Sequence, residues 1–483
     1  MVRARRLGST LTITVFTDDH GDYQFVDMKP GEYYLYGSKD SREATPVEVN
    51  LNRSAGPYKL TLATNVQAKV SGAQVLSAIP DTLEKRKLVQ NCVMCHAVGV
   101  SGTQYAGHRS PDFWRGAIQR MQMQHDAILT PDFDRSKQAL LLAKYVPADD
   151  TIDLPVGLPP MSNVQIYEFD APHENWYPHD IGLDSKSRIW VADYWNDFLE
   201  MLDPKTEQWK FYPIPVKKAG AHSIIQGPDG KMWLVLNIGN HIASFDPRTE
   251  QFKLYPVPGP GKREIGPRPH TEVFDSKGRL WFTEIGNNTV TRFDPGTGQF
   301  TKYPLFEEPK LFRDSFWLWP YGIALDAQDN IYYAKLGGNR IGQIDAASGK
   351  VKEWDMPEPY SGPRRLDTDS KGNVWIPAFT TGKLFRFDPH TETFQDFLIP
   401  TPNSTPYALY VDKKKDQVWI CEASANKIGL FDIASQKWSE VLLPSQFGYT
   451  RKIDQDPNTG MLWISYSQMM TDHNKVVGIR FIR

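Results

Sequence analysis

The chain has 483 residues, with 55 lysines and arginines against 57 aspartates and glutamates, a formal net charge of -2. The two signs alternate along its whole length, which excludes a nucleic-acid partner, because that binding needs a clustered cationic excess. Hydrophobic residues make up 40%, including 14 Trp, 24 Phe and 21 Tyr, so a large core is available. Three cysteines are too few for a disulfide scaffold, and no apolar run is long enough for a transmembrane segment.

Residues 8–36 (GSTLTITVFTDDHGDYQFVDMKPGEYYLY) alternate apolar and polar positions between HGD and KPG turns, which predicts short β-strands. Thr17, Asp18, Gly21, Tyr23 and Phe25, followed by Pro30, Gly31, Tyr33 and Leu35, resemble the later two-thirds of a carboxypeptidase regulatory-like sandwich. That resemblance implies a spacer or docking module over 1–63, with its opening strands missing, so that the start of this chain is expected to fall inside a natural domain. The basic MVRARRLGST is followed by polar, strand-like residues and not by the apolar stretch of a signal peptide. Residues 64–80 and 148–161 read as linkers, the second rich in proline.

Between the linkers, Cys92-Val-Met-Cys95-His96 has the CxxCH spacing of covalent haem c attachment. Two thiols on one helical turn reach the two vinyl groups, and the adjacent imidazole is delivered to one axial face of the iron. Helices are expected before it (81–91), after it (111–124) and at 139–146, and this order resembles small class I-like cytochrome c domains over 81–147. In such domains the second axial ligand is usually a Met. Met121 shares a helical face with Trp114 and Ile118, whereas Met123 is turned away, so Met121 is the first choice, Met123 the second, and His108 and His125 follow. A zinc site would need further ligands at short spacing, and the remaining cysteine, Cys421, is far off and reads as a small buried residue. One covalent haem c implies a location outside the cytoplasmic membrane, here the periplasm.

From residue 162 to 483 one pattern repeats. An aromatic marker recurs at Trp190, Trp233, Trp281, Tyr332, Trp375, Trp419 and Trp463, and a closing aspartate at Asp203, Asp246, Asp294, Asp345, Asp388 and Asp432. Both series step by 43, 48, 51, 43 and 44 residues, the period of a β-propeller blade. Seven markers predict seven blades. The last lacks an outer strand, and 164–172 (VQIYEFDAP) is expected to supply it and close the ring. The fold expected overall is multidomain and mainly β, a seven-bladed propeller plus a partial β-sandwich, with a small all-α cytochrome c domain. Pro269, His270, Trp281, Phe282, Thr283 and Glu284 resemble the blades of the streptogramin (virginiamycin) B lyase family, a likeness covering roughly the last two-thirds of the chain.

Aligning the blades on the marker places a set of residues on one rim. His179, His222, His270, Tyr321, Arg364, Tyr407 and Arg451 begin the inner strands, and Asp193, Glu284, Lys335, Glu422 and Tyr466 end the second strands. Three imidazoles with Asp193 and Glu284 are the residue types of a divalent-metal site. Lys335, Arg364 and Arg451, with Tyr407 and Tyr466, make an opposite arc suited to an anionic substrate. The alternative for the histidines is an architectural one, each bonded to the backbone of the next blade. The family resemblance implies His270 as general base beside a metal, with His222 assisting. The family's metal-binding Glu two positions before the base is Arg268 here, and an Arg cannot bind a metal. The long segment 311–322, with Phe312, Phe316, Trp317 and Trp319, reads as an aromatic lid or as a loop packed on the cytochrome segment.

The leading expectation is a periplasmic haem c oxidoreductase that oxidises a small, anionic molecule at the metal-bearing rim and passes electrons through the haem to a redox partner protein. A metal-dependent lyase with an appended cytochrome is the second. A ligand-binding propeller in which only the haem does chemistry is the third.

Overall fold

The structure is a computed structural model, and it describes residues 1–39, 42–52, 56–65, 71–94, 109–124, 129–146, 157–259, 266–307, 320–446, 448–469 and 474–482. Cys95, His96, His108, His125, Phe312, Phe316, Trp317 and Trp319 lie outside the described residues.

Six blades are self-contained antiparallel sheets of four strands. The repeat spacing has a local cause. The marker indole of Trp190, Trp281 and Trp375 donates to the aspartate that opens the preceding turn, at 2.9, 2.8 and 2.9 Å from Asp184, Asp275 and Asp369. The closing aspartates cap the turn to the outer strand by accepting from the backbone two or three residues on, as Asp246 does from Arg248 at 2.9 Å and Asp432 from Ser435 at 2.9 Å. Each is an Asx turn, and a lost bond of this kind costs about 1 kcal/mol.

The expectation of seven blades is corrected: six are detected as separate sheets, and the strands of the last do not stand alone. Its strands Thr450–Gln455, Leu462–Tyr466 and Lys475–Phe481 are followed by Val164–Asp170, paired from Lys475–Asp170 to Phe481–Val164. These four begin a ten-stranded sheet that continues through Leu11–Val15, Val2–Arg6 and Glu32–Lys39. Leu11–Val15 pairs antiparallel with Val164–Asp170, and all five of its residues are buried. The outer edge of Val164–Asp170 is therefore occupied, which removes an exposed row of unpaired N–H and C=O groups.

Four helices are described: α1 (Gly72–Ser77), α2 (Leu83–Cys92), α3 (Pro111–Gln124) and α4 (Arg135–Tyr145). The helices expected around the cysteine motif are present. The stretch read as a linker over 64–80 contains α1, which starts with a capping box at Ser71 and Gln74. Thr82 and Asp134 cap α2 and α4. The helices rest on the propeller. Ala73 N donates to Ser424 O at 2.8 Å, Asn403 Nδ2 to Ser77 Oγ at 2.7 Å, and Arg86 pairs with Glu358 at 3.1 Å. Leu88, Val89, Trp114, Ile118 and Leu142 share one apolar core with Tyr407, Tyr449 and Ile453 of the propeller. No described helix is long and apolar enough to cross a membrane.

Candidate functional site

The inner strands start with a recurring irregularity. In blade 1, Pro178 pairs with Asp193 and Asp180 with Ala192, so His179 is an extra residue. In blade 2 the extra residue is His222, between the pairs Ala221–Leu236 and Ser223–Val235. In blade 3, Pro269 pairs with Glu284 and Glu272 with Phe282, and in blades 4, 6 and 7 the shift falls at Tyr321, Tyr407 and Arg451. Each shift is a β-bulge, which re-aims a side chain at a sheet end.

The bulges bring these residues together at the mouth of the channel. The rings of His179 and His222 lie 3.8 Å apart, His222 and His270 3.9 Å, and His270 and Tyr321 4.1 Å. His179 Nδ1 bonds the carbonyl of His222 at 2.9 Å and His222 Nδ1 that of His270 at 2.8 Å, the architectural bond to the next blade. His270 Nδ1 bonds Thr271 Oγ1 at 2.8 Å. All three are buried. Burial first, and then Arg451 and Arg365 at His179, the two neighbouring imidazoles at His222 and Arg365 at His270, hold each well below the ordinary histidine range, so the column is neutral.

Opposite the column stand three buried guanidiniums, Arg364, Arg365 and Arg451. Arg365 was not singled out in the sequence. It reaches across the channel to Asp180 of blade 1 at 2.7 Å. Arg364 stacks over Phe379, with 3.7 Å from its Cζ to the ring centroid, and Nη1 reaches Tyr321 Oη at 3.4 Å. Its Nε and Nη2, like those of Arg365, are buried without a hydrogen-bond partner. The approach is close because blade 4 has a glycine here: a Cβ on Gly322 would lie 2.5 Å from the Arg364 carbonyl oxygen. The hydroxyls of Tyr321 and Tyr407 bond each other, and Arg451 Nη1 donates to Tyr407 Oη at 3.0 Å. Burial raises the Tyr407 phenol, but Arg451, Arg364 and Arg365 together outweigh it and the net shift is downward.

The residues that end the second strands are not in this cluster. The alignment set His270 across from Glu284, whereas the structure pairs Glu284 with Pro269 and the bulge turns His270 into the channel. A one-residue offset of this kind exchanges sheet faces. Glu284 accepts from Thr291 at 2.5 Å, Asn287 at 2.7 Å and Lys302 at 2.8 Å, so the structure does not bring it to the histidines. Asp193 accepts from Asn196 at 2.7 Å and lies 3.5 Å from His173. Lys335 pairs with Glu353 at 3.2 Å, and Tyr466 is buried beside Glu168 of the outer strand. The metal set His179, His222, His270, Asp193 and Glu284 thus divides into a histidine column and two carboxylates held elsewhere. The cationic arc keeps Arg364, Arg451 and Tyr407 and loses Lys335 and Tyr466. Arg268 Nη1 donates to Asn237 Oδ1 at 3.1 Å. Cys421 is fully buried, and burial pushes its thiol up to about 12, as suits a packing residue.

Among the described residues, the group of three metal-ligating side chains that converge is His173, Asp193 and Glu200. Their signal in the sequence was Glu200, an acid in a third strand where the register set by the closing aspartates puts Ala243, Thr291, Gly342, Phe385 and Gly429 in other blades. The hydrogen bond to Glu200 raises the His173 imidazole to about 9, and burial raises Glu200 to about 7.

Residues 93 and 94 of the cysteine motif contact the rim residues Tyr449 and Arg451. Arg451 Nη2 donates to Met94 O at 3.1 Å, and Tyr449 Oη donates to Val93 O. On α3, Trp114 and Ile118 face the core, while Met121 is 38% exposed and Met123 74%. The indole Nε1 of Trp114 is buried without an acceptor.

No curated protein matches the chain. Two solved virginiamycin B lyases resemble it. One, from Staphylococcus aureus, has a TM-score of 0.57 and 22% identity over 66% of this chain and 100% of its own. A second streptogramin B lyase has 0.58 and 21% over 66% and 98%. The hydrazine synthase of Kuenenia stuttgartiensis has 0.50 and 11% over 63% and 96%. At these identities the likeness is one of fold. The model of the virginiamycin B lyase family matches residues 161–387 and 318–476, more than half of the sequence, and the chain belongs to that family.

Proposed function

We propose that this chain is a haem c oxidoreductase of the periplasm. In this reading 81–147 is a cytochrome c domain, 1–63 is a partial carboxypeptidase regulatory-like module, and the propeller over 162–483 supplies the substrate site. The observation that supports the reading is the grip of Arg451 and Tyr449 on the carbonyls of Met94 and Val93, which ties these two residues of the motif to the propeller. A lyase exchanges no net electrons and has no use for haem.

The residues suit the group. Cys92 ends α2 and packs in the core with Trp114 and Ile118, and the buried Trp114 N–H, which has no acceptor among the described residues, would be free to donate to an acidic group of the cofactor. Cys92 and Cys95 would hold the haem, and His96 and Met121 would ligate its iron. Bound there, it supplies a one-electron iron couple for exchange with a soluble redox partner. The chain's own residues do the rest. The Nε and Nη2 groups of Arg364 and Arg365 would donate to an anionic small molecule, and buried N–H groups without an acceptor are costly until such a group arrives. Tyr407, lowered by the three arginines, holds or gives up a proton beside it. The neutral column of His179, His222 and His270 lines the site without adding a standing charge to it. Trp317 and Trp319 are proposed to cover the site.

The lyase reading, with His270 as base, ranks second because Glu284 is committed to Lys302 and position 268 holds an arginine. A pyridine haemochrome assay after expression with the cytochrome maturation machinery tests the proposal. A c-type spectrum that disappears in Cys92→Ala/Cys95→Ala is expected, and its absence from the wild type would sink the reading.

A further inference from the structure

We propose that His173, Asp193 and Glu200 form a site for one divalent transition-metal cation, of the Zn2+ or Mn2+ type, on blade 1 and apart from the channel cluster. Three donors already converge. His173 Nε2 lies 2.7 Å from Glu200 Oε1 and 3.5 Å from Asp193 Oδ2, and all three atoms fall within 4.8 Å of one another. One imidazole and two carboxylates match the ligand preference of these ions and leave a coordination position for water.

The orientation of the imidazole points the same way. His173 Nδ1 faces the carbonyl of Glu174 at 3.0 Å, an acceptor only, so Nδ1 carries a hydrogen, and Nε2 faces the two carboxylates through a proton that a metal ion would displace. A metal-bound histidine typically has this bond on its second nitrogen. The carboxylates are braced as well. Trp176 Nε1 donates to Glu200 Oε2 at 2.6 Å, Asn196 Nδ2 to Asp193 Oδ2 at 2.7 Å, and the backbone N–H of Trp195 to Asp193 Oδ1 at 3.1 Å. The rings of Phe198 and Phe211 flank His173, and its side chain is 28% exposed, which leaves the site open to an ion from solvent.

The other blades are an internal control. Where a second strand ends in a charge, a fixed opposite charge answers it: Lys302 for Glu284 at 2.8 Å and Glu353 for Lys335 at 3.2 Å. In blade 6 the acids Glu422 and Glu440 are accompanied by Lys427, 2.5 Å from Glu440. Blade 1 has two fully buried acids, and among the described residues they are answered only by the titratable His173 imidazole and by no lysine or arginine. Two buried carboxylates require compensation, and a divalent cation matches both charges.

The test uses the full chain, stripped with chelator, dialysed, and titrated with Zn2+ and separately with Mn2+ at neutral pH. A single retained equivalent is expected, with affinity falling about tenfold or more in Glu200→Gln and in His173→Ala. Zinc-edge absorption of the loaded wild type should show one imidazole among oxygen ligands, a reading that does not depend on the variants folding. No retained metal in the wild type, wild-type affinity in both variants, or two or more imidazoles on the zinc, as the histidine column would give, overturns the site.

Discussion

Arg451 begins the inner strand of the last blade, yet its Nη2 donates across 3.1 Å to the carbonyl of Met94, between the two cysteines of the CxxCH motif. The same guanidinium donates through Nη1 to Tyr407 and through Nε to the carbonyl of Ser467 at 3.0 Å. One side chain therefore ties the cysteine segment, the channel tyrosines and the blade backbone into a single unit.

Tyr449→Phe removes only the hydroxyl that bonds Val93 O, and it should cost roughly 1 to 2 kcal/mol in stability. Amide exchange around residues 92–94 should speed up while the blade cores keep their protection. Unchanged exchange there would show that the contact does not hold the segment.

If Met121 is the second axial ligand, Met121→Ala should abolish the weak red charge-transfer band of thioether-ligated ferric haem and lower the reduction potential. Met123→Ala should leave both in place. The reverse pattern would assign the ligand to Met123.

Removing residues 1–63 should expose the outer edge of Val164–Asp170, now covered by Leu11–Val15. An uncovered edge recruits other strands, so the truncated chain should melt earlier and self-associate on a sizing column. A monomer with the wild-type melting temperature would show that the added strands contribute nothing to ring closure.

Burial pushes the Glu272 carboxyl up to about 8, and the charge of Asp180 adds to the shift. Its folded pKa lies above the unfolded value, so the folded state holds an extra proton and stability falls as pH rises from about 4.5 to 8. Glu272→Gln copies the neutral acid. It should flatten that slope and exceed the wild type above pH 8 by roughly 2 to 4 kcal/mol, read from denaturant melts across pH. A parallel slope in the variant would place the titration on another group.

Much of this molecule was legible in the sequence because its causes are local. The blade period follows from an indole bonding an aspartate a few residues earlier and from an aspartate capping its own turn, so Trp190 and Asp246 announce a blade wherever they stand. The capped helices around the cysteine motif and the histidines of the rim were readable for the same reason. The tertiary structure decided which rim residues meet. A bulge at the start of the inner strand of blade 3 moves His270 out of register with Glu284, and no property of either residue signals that offset. It also decided that Arg365 crosses the channel to Asp180, that Leu11–Val15 covers the outer edge of Val164–Asp170, and that His173 closes on Glu200. These contacts join residues far apart in the chain or across a bulge, and they arise only when the ring closes and buried charges take the partners that geometry leaves them.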